Sequence, residues 1–262
     1  MLIQRLLVAA VGLPLLALLL ALPERFFSAV VIALLAYAAF EFVRAATPDA
    51  SFSWALSAAA FTALLVGFAR TSGVFQIAWL IPPAIAAVGL LLWSWNALGD
   101  GVGGWWIGAV LYVGVPGAHL VLARNLVEGQ SWLVVLLAIV FATDTGAYAV
   151  GRLLGRHKLA PAISPNKTVE GAIGGLVAGA AAAALAPMLL DASIQTLGIA
   201  LLALVVPPAA IAGDLLESAL KRRMGVKDMS RLLPGHGGLL DRLDSVLVAG
   251  PCLYWIVRWL QT

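Results

Sequence analysis

The chain has 262 residues, of which 62% are hydrophobic and only 11% are charged, with a mean hydropathy of +1.00. A soluble globular domain is about 45–50% apolar and about 25% charged, so the composition excludes a single water-soluble core and predicts a polytopic membrane protein. The net charge is only +3, and we expect no nucleic-acid partner. The single cysteine, Cys252, leaves no internal disulfide.

The apolar runs predict an all-α bundle of about nine transmembrane helices, because a spanning helix needs about 20 mostly apolar residues. The first run has Arg5 before it but lacks a convincing cleavage site, so we interpret it as a retained span and not as a signal peptide. The predicted spans are 6–22, 27–46, 53–69, 75–94, 105–123, 131–150, 171–190, 194–213 and 244–260.

The basic residues predict the orientation, because Lys and Arg are enriched in cytoplasmic loops. With the N-terminus inside, twelve of the sixteen Lys and Arg residues face the cytoplasm and four face outward. Two long polar loops, 151–171 and 214–241, then lie inside and hold all four lysines. The short length and the lack of a targeting extension favour a multi-pass protein of a bacterial (inner) cell membrane, and the orientation predicts an active site facing the cytoplasm.

The first half of the chain contains little comparable chemistry. Its charged or titratable exceptions, Glu41 and His119, each lie near a predicted span end, and we interpret them as interfacial or packed residues. We therefore expect residues 1–130 to form a scaffold of lipid-facing helices. Residues 131–262 would form the catalytic part, with its helices and cytoplasmic loops.

Asp144 is the first residue that suggests chemistry. It lies six residues before the predicted end of its span, which places it about 9 Å inside the polar boundary. A carboxylate at that depth is costly unless it is paired, protonated or bound to a metal. Tyr148, one turn later, can share its face. The alternative is a structural pair with a basic residue of a neighbouring helix.

The run SPNKTVEG follows, from Ser164 to Gly171. Ser164 and Pro165 indicate a helix start, and Asn166, Lys167 and Thr168 come directly after them. A helix N-terminus with a lysine and hydroxyl groups can bind an anion, because its free N–H groups point at the ligand. The alternative is an ordinary cap with Lys167 at the lipid headgroups.

A polar stripe begins at Asp214. Its members have helical spacing, with acids first and bases last, so one end suits a metal ion and the other suits phosphate. The alternative is a helix-stabilising pair between Glu217 and Lys221. The stripe comprises Asp214, Glu217, Ser218, Lys221 and Arg222.

Asp241 and Asp244 are three residues apart at the start of the last span, and a glycine-rich turn around His236 precedes them. Glycines allow a ligand to approach the backbone closely. Carboxylates on two helices, a glycine-rich turn and a basic cluster together suit Mg²⁺ bridging phosphate oxygens.

The run SALKRRMGVKDMSRLLPGHGGLLDRLD, residues 218–244, resembles the signature of the phosphatidate cytidylyltransferase (CDP-diacylglycerol synthase) family. The upstream pieces, from Asp144 to SPNKTVEG, are also similar to that family. The resemblance implies conversion of CTP and phosphatidic acid, in the membrane, to CDP-diacylglycerol and pyrophosphate with Mg²⁺. A second cation and a homodimer are left open.

The resemblance also implies residue roles. Asp214 and Asp241 would bind metal, with Asp144 and Asp244 as second choices. The groups assigned to catalysis are Lys221, Arg222, Lys227, Asp228, His236, Arg242, Asp144 and Lys167. Those assigned to substrate binding are Ser164, Asn166, Lys167, Thr168, Ser218, Gly237, Gly238 and Tyr148.

Two other function classes fit part of this pattern. Another CTP-dependent lipid cytidylyltransferase or a lipid kinase would need the same metal and phosphate groups. A lipid transporter would also explain carboxylates within the membrane. However, the charges cluster at one interface and no inverted repeat is visible, which favours the enzyme.

Overall fold

The computed structural model describes residues 2–72, 101–190, 192, 194–232 and 237–261. The described chain is almost entirely helical, as predicted. Its helices are α1 (Leu2–Ala21), α2 (Glu24–Ala46), α3 (Phe52–Ser72), α4 (Val102–Ala109), a π-helical turn (Val110–Gly114), α5 (Val115–Arg124), α6 (Gly129–Leu154), α7 (Val169–Leu189), α8 (Thr196–Met224) and α9 (Leu240–Leu260). Two short strands, β1 (Lys158–Ala160) and β2 (Ser164–Thr168), lie between α6 and α7.

Seven helical segments of the described residues are long and apolar enough to cross a membrane. Each coincides with one predicted span, so the all-α membrane fold is confirmed. The first predicted span falls on α1. Its segment Ala10–Ala21 is apolar but shorter than the seven spanning helices. The fourth, 75–94, lies outside the described residues, and the count of nine stays a prediction. Large apolar side chains such as Leu64 and Leu204 are exposed on these helices, as lipid contact requires.

Helix α8 is longer than the predicted span 194–213. It continues to Met224 and ends at Gly225, which adopts φ +72° as a left-handed cap. Lys221, Arg222 and Arg223 occupy its last turn, where cations are favourable beside the negative end of the helix dipole. Its 29 residues extend roughly 43 Å, which exceeds the hydrocarbon thickness of about 30 Å. The charged end can therefore reach beyond the hydrocarbon.

The prediction that a helix starts at Ser164–Pro165 is wrong. Residues Ser164–Thr168 form strand β2, antiparallel to β1, with Lys158 opposite Thr168 and Ala160 opposite Ser164. The ring of Pro165 disfavours a helical backbone at the residue before it, which explains the extended conformation of Ser164. The helix begins at Val169, where Thr168 is the N-cap and its Oγ1 accepts a hydrogen bond from the Gly171 N–H at 3.1 Å.

Small residues allow α6, α7 and α8 to approach closely. A Cβ atom on Gly171 would lie 2.8 Å from the Ala147 carbonyl oxygen, and one on Gly175 would lie 2.8 Å from that of Thr143. On the same face of α7, a Cβ atom on Gly179 would lie 2.8 Å from Pro207 of α8. This four-residue glycine spacing is typical of tightly packed membrane helices.

The described chain divides into two compact units. The first comprises Met1–Leu122 with Val226–Arg242, and the second comprises Ala123–Gly225 with Leu243–Thr262. Leu35 and Phe42 are among the most buried side chains of the first unit, and Trp132 and Leu247 are among those of the second. The functional division at residues 130 and 131 stays a prediction.

Candidate functional site

Among the described residues, two polar clusters, one in each unit, contain most of the acids that the sequence assigned to the site. We name the one in the second unit the carboxylate–lysine cluster, which comprises Lys167, Asp214, Glu217, Ser218, Lys221 and Asp244. We name the one in the first unit the loop clamp, which comprises Glu41, Met229, Ser230, Gly238, Leu240 and Asp241.

The centre of the carboxylate–lysine cluster is an ion pair between the hairpin and α8. The Lys167 Nζ on β2 lies 2.6 Å from the Asp214 Oδ2 on α8, and both side chains are partly exposed. Ser218, one turn after Asp214, donates a hydrogen bond from Oγ to the Asp214 Oδ1 at 3.4 Å. The two polar runs of the sequence, 164–171 and 214–222, therefore meet at Asp214.

A second ion pair lies about one turn after Asp214, toward the C-terminal end of α8. The Lys221 Nζ lies 2.6 Å from the Glu217 Oε2, and Glu217 is only 1% exposed. The helix-stabilising pair considered in the sequence is thus present. Because a buried carboxylate is costly without a partner, Lys221 serves to neutralise Glu217 in this structure.

Asp244 of α9 completes the cluster. Its carboxyl group lies close enough to Asp214, Glu217 and Lys221 to interact with them electrostatically. The close approach of α9 to α8 depends on Gly213, where a Cβ atom would lie 2.6 Å from the Asp244 carbonyl oxygen. Carboxyl groups from two helices are therefore brought together beside two lysines.

This donor set suits a hard divalent cation that keeps other ligands. Within the part of the chain that the structure describes, no three His, Cys, Asp or Glu side chains are arranged to hold a metal among themselves. Mg²⁺ usually takes only one or two protein carboxylates, with substrate phosphates and water as its other ligands. The proximity of Asp214 and Asp244 fits that limited requirement, since two neighbouring negative charges attract a cation.

The hairpin holds the other predicted residues of the SPNKT run near α8. Arg222 donates from Nε to the Ile163 carbonyl oxygen at 3.2 Å, which ties the turn of the hairpin to the end of α8. Asn166 is exposed and Ser164 is half-buried. Thr168 is buried as the cap of α7, so the interpretation of this run as a helix cap holds for its hydroxyl group.

Asp144 and Tyr148 are both exposed on α6. Because α6 continues to Leu154, Asp144 lies ten residues, or about 15 Å, before the end of its helix, and not six as predicted. The Tyr148 hydroxyl accepts a hydrogen bond from the Arg152 Nη1 at 2.7 Å.

Asp241 organises the loop clamp. It is 8% exposed, and its Oδ2 accepts hydrogen bonds from the N–H groups of Met229 at 3.0 Å and Gly238 at 2.6 Å. These bonds fix the orientation of the carboxylate that the sequence assigned to metal. Gly237 has φ +83°, and a Cβ atom there would lie 2.5 Å from the Asp241 Oδ2. His236 lies outside the described residues.

Glu41 is the residue that sequence reasoning missed. It is 2% exposed on α2, its Oε1 accepts a hydrogen bond from the Ser230 Oγ at 2.6 Å, and its Oε2 accepts one from the Leu240 N–H at 3.0 Å. An acid inside an apolar helix was the available signal, since such residues are rare without a role. Lys227, Asp228 and Arg242 of the same unit are exposed.

Comparison with known proteins adds a family. The model of the cytidylyltransferase family matches residues 3–260. Similar proteins are the phosphatidate cytidylyltransferases of Staphylococcus saprophyticus, 42% identical over 145 residues and 55% of each chain, and of Bacillus subtilis, 41% identical over 150 residues, 57% of this chain and 56% of the relative. That of Mycobacterium bovis is 45% identical over 141 residues, 54% of this chain and 44% of the relative. The matched part spans about half the length of these relatives.

Proposed function

Because the chain belongs to the cytidylyltransferase family, we propose that it transfers the cytidylyl group of CTP to phosphatidic acid, forming CDP-diacylglycerol and pyrophosphate. The observation that carries the proposal is the carboxylate–lysine cluster, in which Lys167 of the hairpin meets Asp214 of α8 at 2.6 Å. The relatives named phosphatidate cytidylyltransferase support the choice of the lipid substrate.

The reaction needs positioning and cations more than it needs a base. An oxygen of the lipid phosphate attacks the α-phosphorus of CTP, a new P–O bond forms, and the bond from the α-phosphorus to the bridging oxygen of pyrophosphate breaks. The attacking phosphate is already an anion near neutral pH. The barrier is therefore the repulsion between anions and the charge that develops on pyrophosphate, which fixed positive groups reduce.

The lysines and arginines of the chain would supply that positive charge. Lys167 is partly exposed, so its ammonium group can turn from Asp214 to a phosphate when CTP is bound. The further groups proposed to contact the phosphates or line the site are Lys221, Arg222, Lys227, Asp228, His236, Arg242, Ser218, Gly237, Gly238 and Tyr148.

Asp214 and Asp244 would hold Mg²⁺, and we retain Asp241 as a further proposed ligand because the family resemblance implies it. Bound Mg²⁺ would neutralise negative charge on the phosphates. Release of Lys167 from Asp214 would leave that carboxylate available to the metal. The same exchange would give the ammonium group to the substrate.

The membrane location would bring the two substrates together. The long α8 can carry its charged end past the hydrocarbon, where CTP arrives from water and phosphatidic acid arrives from the bilayer. The count of Lys and Arg residues favours the cytoplasmic side of the membrane, and the bacterial relatives fit a bacterial inner membrane.

The test is turnover by the purified protein in detergent with labelled CTP. We expect CDP-diacylglycerol only when phosphatidic acid and Mg²⁺ are both present. The matched controls omit the lipid, or replace it with diacylglycerol. Turnover of diacylglycerol to a phosphorylated lipid, or no turnover by the folded protein, would contradict the proposal.

A further inference from the structure

We propose that Glu41 is a positioning residue on helix α2 that joins Ser230 to Leu240 and so fixes the described residues on either side of 233–236. The role rests on the proposed function, because the joined residues would hold neighbouring charged groups for the phosphates. Glu41 itself would not touch substrate. It acts through Ser230 and Leu240, to which its two oxygens are hydrogen bonded.

The two carboxylates of the loop clamp each join the start of the loop to its end. Asp241 accepts from Met229 at the start and Gly238 at the end. Glu41 accepts from Ser230 at the start and Leu240 at the end. Asp241 belongs to the loop's own continuation into α9, whereas Glu41 reaches it from a helix 189 residues earlier in the chain.

The burial of Glu41 argues against a purely packing role. It is 2% exposed in the apolar α2, and an apolar side chain of similar size would fill that space without the cost of a buried charge. Gly238 lies close to the carboxylate, since a Cβ atom there would lie 2.9 Å from both the Glu41 Oε2 and the Ser230 Oγ. The two carboxylate oxygens of Glu41 are therefore placed to accept the hydrogen bonds from Ser230 and Leu240.

The residues that Glu41 and Asp241 join lie beside exposed charged residues. Lys227 and Asp228 precede the clamp, Arg231 lies within the loop, and Arg242 follows it; all four are exposed. Fixing both ends of the loop restricts the positions that these side chains can sample. Loss of Glu41 would thus weaken catalysis without removing any group that contacts the reacting atoms.

Limited proteolysis tests whether Glu41 holds Ser230 and Leu240 together, without any assay of activity. Trypsin cleaves after Arg231, which is exposed. In Glu41→Met, the Ser230 hydroxyl and the Leu240 N–H lose their acceptor, and we expect cleavage at Arg231 to become at least about tenfold faster. In Glu41→Gln, the amide oxygen can accept from Leu240 and the amide nitrogen can donate to Ser230, so the rate should stay within about threefold of the unaltered protein.

Two controls accompany that measurement. Glu24→Gln changes another acid of α2, whose contact is with Arg70 at 3.8 Å, and it should leave cleavage at Arg231 unchanged. Cleavage after the exposed Lys158 of the hairpin serves as an internal reference in every variant. Equal acceleration at both sites would mean general unfolding and would overturn the assignment to the loop.

Kinetics then test positioning. We expect kcat/KM for CTP, per folded molecule, to fall by about tenfold or more in Glu41→Met and to recover in Glu41→Gln. A merely structural role would lower the amount of folded protein but leave kcat/KM per folded molecule unchanged, and that result would overturn the proposal. If the unaltered protein has no cytidylyltransferase activity, the proposed function fails while the proteolysis still decides whether Glu41 joins Ser230 to Leu240.

Discussion

The carboxylate–lysine cluster and the loop clamp use acids in different ways. In the first, Asp214 is partly exposed and meets the ammonium group of Lys167 on a neighbouring element. In the second, Glu41 and Asp241 are buried and accept hydrogen bonds mainly from backbone N–H groups. A partly exposed ion pair can exchange its partners for a metal and a phosphate, whereas backbone donors stay in place. The first arrangement suits the exchange of ligands during a reaction, and the second suits holding the backbone in one conformation.

The largest effect of any substitution is expected at Asp214, in the carboxylate–lysine cluster. Asp214→Asn removes a charge from the cluster while keeping the shape of the side chain, and we expect kcat/KM to fall by about 10²- to 10³-fold. The Mg²⁺ concentration needed for half-maximal activity should also rise. The matched control is Asp49→Asn, in the exposed loop after α2, which should behave as the unaltered protein. Normal activity and normal Mg²⁺ dependence in Asp214→Asn would remove Asp214 from the site.

Lys167 gives the next largest effect. Lys167→Ala removes the cation that meets Asp214, and a hydrogen bond to a charged group is worth about 1.5–3 kcal/mol. We therefore expect kcat/KM to fall by about tenfold to a hundredfold. Lys158→Ala, in the adjacent strand of the hairpin, is the control. A change in thermal stability alone, with kcat/KM unaltered, would reduce Lys167 to a structural ion pair.

Gly238 tests the loop clamp by adding atoms. In Gly238→Ala, the new methyl group would press on the Glu41 Oε2 and the Ser230 Oγ, each 2.9 Å away. We expect about a tenfold loss of kcat/KM because the clamp opens. Gly104→Ala is a suitable control, since a Cβ atom there meets nothing within 4 Å. Similar losses in both variants would indicate that the loop is not the sensitive element.

The smallest predicted effect is at the cap of α7. Thr168→Ala removes the acceptor for the Gly171 N–H and should destabilise the protein by about 1 kcal/mol. That corresponds to a fall of about 2–4 °C in Tm, read from thermal unfolding. Thr168→Ser keeps the hydroxyl group and should retain most of the stability. An activity loss in both variants without a change in Tm would instead indicate contact with substrate.

Local sequence patterns were sufficient for much of this structure. Apolar runs located the helices, and the spacing from Asp214 to Arg222 predicted one helical stripe with the Glu217–Lys221 pair. The same patterns placed the start of α7 too early, because the hairpin depends on pairing between β1 and β2. The bonds from Glu41 to Ser230 and Leu240 join residues 189 and 199 positions apart. No local period reveals such a contact, so the sequence alone indicates only an interfacial or packed residue at Glu41.

The measurement that tests the central claim most directly is the fate of each phosphate of CTP. The purified protein would be incubated with phosphatidic acid and Mg²⁺, in parallel with CTP labelled at the α-phosphate or at the γ-phosphate. Cytidylyl transfer predicts that the α-label enters the lipid and the γ-label leaves in pyrophosphate. Entry of the γ-label into the lipid, with release of CDP, would show phosphoryl transfer and would contradict the account.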